Sequence, residues 1–186
     1  WLIRDGISGK RASQADIQRA KEKYNLPDRY IMTLSTIEPR KNMQLLVRAY
    51  SELVEEGYDF PDLVLVGRNG WKNSALFEGC SRKVREHIHM PGFIDNDETV
   101  GVYGGAELFV FPSIYEGFGM PPLEAMKAGC VVVSSDAASM PEVLEDSAIY
   151  FKSQDLKDLK RKMVYALELD VIRRNEYMVA GYAQAE

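Results

Sequence analysis

Residues 30–66, YIMTLSTIEPRKNMQLLVRAYSELVEEGYDFPDLVLV, hold two short apolar runs on either side of a helical pattern. The runs at 30–34 and 63–66 are largely apolar without polar alternation, which is typical of parallel strands covered on both faces. Asn42 is placed to cap the intervening helix, in which apolar residues recur at helical spacing: Leu45, Leu46, Ala49, Tyr50, Leu53 and Val54. The segment therefore predicts a strand–helix–strand unit.

The same alternation continues along the chain. Further runs rich in β-branched or apolar residues predict strands at 87–90, 108–111, 131–134 and 148–151. A capping box at 13–16, SQAD, predicts an early helix, and a late helix is indicated by Leu156, Leu159, Met163 and Leu167. Repeated strand–helix–strand units predict an α/β fold with a doubly wound parallel sheet, which is Rossmann-like. We expect an N-terminal segment, 1–28, and one domain, 29–186, that ends in a helix from residue 171.

Composition excludes several classes of protein. The 186 residues are 46% hydrophobic, enough for one core. The formal net charge of −5 and the lack of a Lys/Arg tract argue against a nucleic-acid partner. No apolar run approaches the roughly 20 residues of a membrane span, and no signal-peptide pattern opens the chain. Cys80 and Cys130 lack CxxC spacing, which favours reduced thiols in the cytoplasm. Because the chain opens with Trp1, we expect an excised piece of a larger protein.

Unusual residues follow four of the predicted strands. Ligands of open α/β sheets bind beyond the carboxyl ends of the strands, which meet at one rim. Arg40 and Lys41 follow the first strand, just before a helix start. The segments that follow the next three strands are GRNGW at 67–71, PGFI at 91–94 and PSIYEGFGMPPLE at 112–124. Their convergence predicts a ligand site at this rim.

The segment 116–124, EGFGMPPLE, is suited to an anion. Pro121 and Pro122 fit the first turn of a helix, where a missing N–H costs nothing. The glycines at 117 and 119 let the backbone approach a ligand, with free N–H groups and the positive helix end directed at it, which suits a diphosphate. Glu116 and Glu124 can face such a ligand from different sides, and beside phosphate they are better suited to sugar or ribose hydroxyls.

Arg40 and Lys41 can supply positive charge from the neighbouring loop. Hydrogen bonds to charged groups contribute about 1.5–3 kcal/mol each, so the pair and a helix end could stabilise a departing diphosphate. The alternative is that both are ordinary surface cations. Their position on the shared rim favours the functional interpretation.

These motifs resemble the family 4, or group 1, glycosyltransferases with two Rossmann domains (the GT-B architecture). EGFGMPPLE resembles that family's E-x7-E signature, and AMKAG at 125–129 continues it. PRKNMQLLVRAY at 39–50 resembles the family's phosphate-loop helix, and PGFIDNDE at 91–98 its base-binding turn. The likeness runs from about residue 30 to 151. It implies that the chain is the C-terminal, donor-binding half of such an enzyme.

The resemblance also implies roles for single residues. Arg40 and Lys41 would hold the donor diphosphate, Glu116 would contact the transferred sugar, and Glu124 would hold the ribose diol. The other implied substrate-binding residues line the sugar, phosphate and base: Gly92, Phe93, Ile94, Gly117, Phe118, Gly119, Met120 and Leu123.

The implied reaction is sugar transfer from a nucleoside diphosphate with retention, without a metal or other cofactor, in which the leaving phosphate helps to deprotonate the acceptor. The acceptor would sit on a missing N-terminal domain, so the chain alone is expected to bind donor and to transfer negligibly. A cytoplasmic location is expected, and membrane contact of the full-length enzyme stays open.

STIEPRKN at 35–42 and the pair Gly70–Trp71 are most similar to mannosyltransferases, so GDP-mannose is favoured over UDP-sugars. Two alternatives stay open. One is a non-catalytic domain that binds sugar nucleotides, and the other is an epimerase or phosphorylase on the same architecture.

Three other patterns are given ordinary interpretations. Residues 95–97, DND, match a DxD metal motif, but they precede a helical segment and are expected to cap it. His87 and His89 lack a third ligand, so we expect no metal. The GFG at 117–119 lacks the third glycine of a dinucleotide fingerprint, which disfavours NAD.

Separately, Gly104–Gly105 stands where the family has a less flexible pair, and is expected to loosen its helix.

Overall fold

The computed structural model describes residues 10–36, 38–67 and 74–186. Within them, one parallel sheet has the order β3-β2-β1-β4-β5-β6. This is the Rossmann order, so the predicted doubly wound sheet is confirmed. The strands are β1 (Tyr30–Leu34), β2 (Asp62–Val66), β3 (Ile88–Gly92), β4 (Leu108–Phe111), β5 (Val132–Ser135) and β6 (Ile149–Phe151).

Helices flank this sheet. The predicted helices are present, and those predicted over 156–167 and from 171 begin where the sequence placed them. Among the described residues, three short 3-10 turns occur at Pro39–Lys41, Ser74–Phe77 and Glu145–Ser147. The helices are α1 (Gln14–Tyr24), α2 (Met43–Glu55), α3 (Arg82–Arg85), α4 (Asn96–Gly104), α5 (Met120–Ala128), α6 (Met140–Leu144), α7 (Leu156–Leu167) and α8 (Val171–Gln184). None of the described helices is long and apolar enough to cross a membrane.

Both faces of the sheet are covered, which explains the strands without polar alternation. Met32 and Phe109 pack in one buried cluster with Tyr103 of α4 and Met126 of α5. The strand residues that point to the other face pack with α2 and α7: Ile31, Leu63, Val110 and Val133. The predicted strand at 87–90 continues instead to Gly92, through Pro91. Proline is tolerated there because β3 is an edge strand with one neighbour, β2.

Two expected helix caps differ from the prediction. Asn42 precedes α2, but its backbone is left-handed, with φ 53°, and its side chain makes no capping hydrogen bond. Capping side chains normally act from an extended backbone. Asp95 precedes α4, yet its carboxylate accepts from Lys23 Nζ (3.0 Å) and the Tyr24 hydroxyl (3.1 Å) instead of capping. Side-chain capping at these two positions is therefore wrong, whereas the predicted capping box at Ser13 is confirmed.

The glycines at the end of α4 are sites of close packing. A Cβ on Gly104 would lie 2.1 Å from Ala12 Cβ, and one on Gly105 would lie 2.6 Å from the Tyr30 hydroxyl oxygen. Gly101, one turn earlier, would bring a Cβ within 2.3 Å of the carbonyl oxygen of Asp16. These glycines let α1 and its flanking chain pack against α4, and the expectation that Gly104–Gly105 loosens the helix stays a prediction. A domain boundary at residue 28 stays a prediction.

Candidate active site

The loops that leave the carboxyl ends of the strands are hydrogen-bonded to one another. The N–H of Ile114, after β4, donates to the carbonyl of Arg40, after β1, at 2.7 Å. The N–H of Gly67 donates to the carbonyl of Gly92 at 3.1 Å, which joins the ends of β2 and β3. The predicted rim therefore exists for the described loops. Ile37 and the predicted residues Arg68, Asn69, Gly70 and Trp71 lie outside the described residues.

A charged cluster stands on the loops after β1 and β4. The ammonium of Lys41 donates to Oε1 of Glu116, and Arg40 Nη1 donates to Glu116 Oε2 at 3.2 Å. Arg40 Nε also donates to Glu38 Oε2 at 2.6 Å. We call these four side chains the rim charge cluster. The side chains of Lys41 and Glu116 are 11% and 10% exposed, and that of Arg40 is 44% exposed, so one cation is inside the rim and the other at its surface.

Local structure fixes the position of Lys41. The 3-10 turn Pro39–Lys41 ends in the left-handed Asn42, which turns the chain into α2 and keeps Lys41 at the sheet. Its ammonium lies 5.7 Å from the ring centroid of Phe111, the last residue of β4. Hydrogen bonds from Thr36 and Arg40 lower the pKa of Glu38, and the bond to Glu38 raises the pKa of Arg40, so these two side chains stay ionised near neutral pH.

The glycine-rich turn at 117–119, which precedes α5, has its conformation fixed by neighbouring side chains. Gly119 has φ 71°, and a Cβ there would lie 2.5 Å from Cε of Met140. Ser139 Oγ donates to the carbonyl of Gly117 at 2.8 Å and to that of Glu116 at 3.3 Å. Space beside Gly117 is open. No side chain of the described residues caps the start of α5. Because Pro121 and Pro122 have no N–H, the backbone donors that can meet an anion there are the N–H groups of Gly119 and Met120.

A cavity of about 470 Å³ opens beside this turn, within the usual size range of small-molecule sites. Its walls include Phe93 and Ile94 after β3, Glu124 of α5, and Thr36 after β1. Thr36 Oγ1 donates to Glu38 Oε1 at 2.8 Å, so the cavity wall touches the rim charge cluster. Glu116 belongs to that cluster, whereas Glu124 faces the cavity. The two carboxylates therefore occupy neighbouring parts of one site.

The remaining predicted substrate-binding residues are placed as follows. Phe118 and Met120 are partly exposed, at 39% and 38%. Gly92 ends β3 with φ 85°. Leu123 is 3% exposed in the core, so its backbone alone can face a ligand. Their roles stay predictions.

Sequence reasoning missed several residues of the site. Tyr103 lines the cavity, and its hydroxyl donates to Glu124 Oε2 at 3.0 Å. Lys10, Asn96 and Thr99 line it as well, from the N-terminal segment and α4. Asn96 lies within PGFIDNDE but has no predicted ligand role, and Lys10, Thr99 and Tyr103 stand in no motif. Helical spacing places Tyr103 in a core helix, but it gives no sign that its hydroxyl reaches a residue of another helix.

The two histidines lie away from this site. His87 Nδ1 is 2.9 Å from Asp62 Oδ1, and His89 Nε2 is 2.6 Å from Asp62 Oδ2. Asp62 begins β2, at the end of the sheet opposite the rim. In the part of the chain that the structure describes, no group of three or more His, Cys, Asp or Glu is arranged to hold a metal ion.

A Rossmann-like sheet with cations and a free helix start at the carboxyl ends of its strands is the arrangement that nucleotide-binding α/β domains use. Comparison with known proteins gives the family. Residues 14–184 match the family described as "Glycosyl transferases group 1", and the chain belongs to it.

Curated relatives carry mannosyltransferase names. The chain is 39% identical over 158 residues to the serotype-specific mannosyltransferase WbdA of Escherichia coli, covering 83% of this chain and 19% of that protein. It is 36% identical over 177 residues to the O-antigen chain mannosyltransferase B of Escherichia coli, covering 94% of this chain and 46% of that protein. The chain thus spans less than half of these relatives.

Solved structures confirm the Rossmann-like fold. The C-terminal domain of the group 1 family protein LpcC from Francisella tularensis superimposes with a TM-score of 0.78 at 22% identity, covering 96% of this chain and 95% of that one. Anabaena HepE, solved in complex with UDP and glucose, gives a TM-score of 0.76 at 18% identity over 97% of this chain and 49% of that one.

Proposed function

We propose that this chain binds a nucleoside diphosphate sugar at the rim charge cluster and the adjoining cavity, and that the full-length protein transfers the sugar to an acceptor. The observation that carries the proposal is the position of Lys41 and Arg40. Both cations lie at the carboxyl ends of the strands, beside the start of α5, and each is paired with carboxylate side chains. A diphosphate is a dianion that could replace the carboxylate of Glu116 as the partner of these two cations.

The donor would span the two parts of the site. Its diphosphate would bind Lys41, Arg40 and the N–H groups before α5, and its base and ribose would enter the cavity beside Phe93 and Glu124. Carboxylate oxygens accept hydrogen bonds but repel phosphate, so Glu124 suits ribose hydroxyls. Glu116, freed from the cations, would accept from hydroxyls of the transferred sugar.

The chemistry proposed is retaining transfer without a metal. As the bond between the anomeric carbon and the diphosphate oxygen breaks, negative charge grows on the leaving oxygen, and Lys41 and Arg40 would stabilise it. The acceptor hydroxyl would attack from the same face and give its proton to the departing phosphate. No side chain need act as a covalent nucleophile in this route. Glu116 would orient the sugar.

GDP-mannose is the donor we favour. The support is that relatives at 36–39% identity are named mannosyltransferases and that the segment at 35–42 resembles the mannosyltransferases of the family. HepE, whose structure holds UDP, shares the fold at 18% identity, so a UDP-sugar is the competing donor. The acceptor is proposed to bind a separate N-terminal domain, since the chain spans 46% of the O-antigen chain mannosyltransferase B. The 186-residue chain would then bind donor and transfer negligibly.

The test is calorimetric titration of the 186-residue chain with GDP, UDP, ADP and CDP. Lys41→Ala should raise the Kd of the preferred diphosphate about 10- to 100-fold, as loss of a charge-assisted hydrogen bond predicts. Lys160→Ala is the matched control, because Lys160 is also a poorly exposed, ion-paired lysine (15% exposed, with Glu52 and Glu56) but lies on α7. It should leave the Kd unchanged.

The outcomes decide between interpretations of the site. Selective binding of GDP supports GDP-mannose, and selective binding of UDP would reject it. Equal losses of affinity in both lysine variants would show that Lys41 does not belong to the donor site. If none of the four nucleotides binds at millimolar concentration, donor binding by this chain is wrong.

A further inference from the structure

Tyr103 and Glu124 meet between α4 and α5 at the wall of the cavity. The Tyr103 side chain is 1% exposed, and its ring packs edge-on against Phe109 with centroids 5.4 Å apart and planes at 69°. Its hydroxyl donates to Oε2 of Glu124 at 3.0 Å. Burial raises the pKa of Tyr103 well above its usual value, so the hydroxyl keeps its proton near neutral pH. A donor fixed in the core therefore holds one oxygen of a carboxylate that faces the cavity.

The second oxygen of Glu124 is the one available to a ligand. In the described part of the chain, no residue donates a hydrogen bond to its Oε1, while the side chain is partly exposed and lines the cavity. A glutamate side chain otherwise samples several rotamers, and fixing it on binding costs affinity. The bond from Tyr103 removes that freedom before a ligand arrives.

We propose that Tyr103 is a positioning residue that holds Glu124 for a ribose diol and so sets selectivity for ribonucleotides over 2′-deoxyribonucleotides. This inference rests on the proposed function, because it needs a nucleotide in the cavity. The effect of Tyr103 passes through Glu124. It should therefore depend both on the 2′-hydroxyl of the ligand and on the carboxylate of Glu124.

Tyr30 supplies a matched control in the same core. It is 0% exposed, and its hydroxyl donates to the carbonyl of Val102 on α4 at 2.6 Å. Unlike that of Tyr103, its hydroxyl bonds to no carboxylate among the described residues, and Tyr30 is absent from the cavity wall. Loss of the Tyr30 hydroxyl should therefore report the cost of a missing buried hydrogen bond alone.

The experiment compares Kd values of GDP and dGDP, and of UDP and dUDP, for the wild type, Tyr103→Phe and Tyr30→Phe. The wild type should prefer its ribonucleotide about tenfold, the effect of one hydrogen bond to a charged group. Tyr103→Phe should raise the ribonucleotide Kd by about 3- to 10-fold and the deoxyribonucleotide Kd by less than about twofold. Tyr30→Phe should lower the unfolding temperature and leave the preference intact.

A second arm repeats Tyr103→Phe in the Glu124→Ala background, where it should change neither Kd. If Tyr103→Phe loses affinity equally for ribonucleotides and deoxyribonucleotides, or still loses affinity in the Glu124→Ala background, its role is merely structural and the inference is overturned. A wild-type preference that Tyr103→Phe leaves unchanged would also overturn it. If the wild type binds neither nucleotide pair, the proposed function itself fails. Thermal unfolding of each variant identifies a loss that comes from misfolding.

Discussion

Lys41 and Glu116 form an ion pair that joins the loops after β1 and β4, and each side chain is only about one-tenth exposed. A poorly hydrated ammonium needs a partner, and in this structure the partner is a carboxylate. Any incoming diphosphate must compete with that carboxylate for the same cation. Glu116 is thus expected to weaken the binding of a bare diphosphate while it serves the sugar of an intact donor.

Glu116→Gln should separate these two effects. Removing the charge leaves Lys41 and Arg40 free for phosphate, so the Kd of GDP or UDP should fall about 3- to 10-fold, the change expected for one lost competing charge at a partly buried site. The Kd of the corresponding nucleotide sugar should fall less, because the neutral amide that replaces the carboxylate is a poorer acceptor for sugar hydroxyls. Titration calorimetry at low ionic strength measures both.

Glu52→Gln is the control for that variant. Glu52 also bridges one lysine and one arginine, Lys160 and Arg48, both at 3.1 Å, but it lies on α2 away from the rim. It should leave both Kd values unchanged. If Glu116→Gln weakens diphosphate binding as much as Lys41→Ala does, Glu116 is not a competitor but a support of the site.

Two glycines of the turn before α5 should respond differently to alanine. Gly119 is left-handed, and a Cβ there would lie 2.5 Å from Cε of Met140, so Gly119→Ala should lower the free energy of unfolding by about 1–3 kcal/mol. Gly117 has open space beside it, so Gly117→Ala should unfold like the wild type. It should nevertheless raise the Kd of the diphosphate several-fold if the ligand approaches this backbone. Denaturant unfolding and calorimetry on both variants measure the two effects, and normal binding by Gly117→Ala would place the ligand elsewhere.

The sequence predicts the sheet well because its strands are buried on both faces and bounded by turn residues. The strands at 30–34 and 108–111 are confirmed at their predicted bounds. The helix caps are less predictable, since the residue type at Asn42 or Asp95 does not reveal the backbone angle or a competing partner such as Lys23. The packing role of Gly104 is not predictable either, because the close approach of Ala12 is a tertiary contact.

For the site, the sequence predicts which loops meet and not how they pair. The rim position of Arg40, Lys41 and Glu116 follows from the parallel strands. Their ion pairing does not, because side chains 75 and 76 residues apart are joined only by the fold. The same is true of Tyr103 and Glu124. The position of a tyrosine in a helix does not indicate which residue its hydroxyl will hydrogen-bond.

Asp16 should make stability depend on acid pH. Hydrogen bonds from Ser13, Lys10 and Arg19 hold the pKa of its carboxyl well below the usual 3.8. Because the folded-state pKa is depressed, the stabilisation is present above about pH 4 and is lost as the pH falls below it. Asp16→Asn should therefore lower the unfolding temperature by about 3 °C near pH 7, the size of a lost helix cap, and by progressively less below pH 4.

The control for Asp16 is Asp59→Asn. Asp59 also pairs with an arginine, Arg29, at 3.1 Å, but its side chain is 95% exposed, and exposed pairs contribute little. Thermal unfolding from pH 3 to 8 should show no comparable difference in unfolding temperature between this variant and the wild type. A gap between the wild type and Asp16→Asn that is constant with pH would mean that packing of α1 on α4, and not the carboxylate charge, accounts for the loss.

The two cysteines should differ sharply in reactivity. Cys130 follows the end of α5, is 3% exposed, and has a thiol pKa that burial raises to about 12, whereas Cys80 is partly exposed. Since the thiolate is the reactive form, iodoacetamide at pH 8 should label Cys80 in the folded protein and Cys130 only after unfolding. Mass spectrometry of the wild type and Cys80→Ser measures this, and Cys80→Ser should take up no label until denaturant is added. Labelling of Cys130 in the folded protein would show that the C-terminal end of α5 opens.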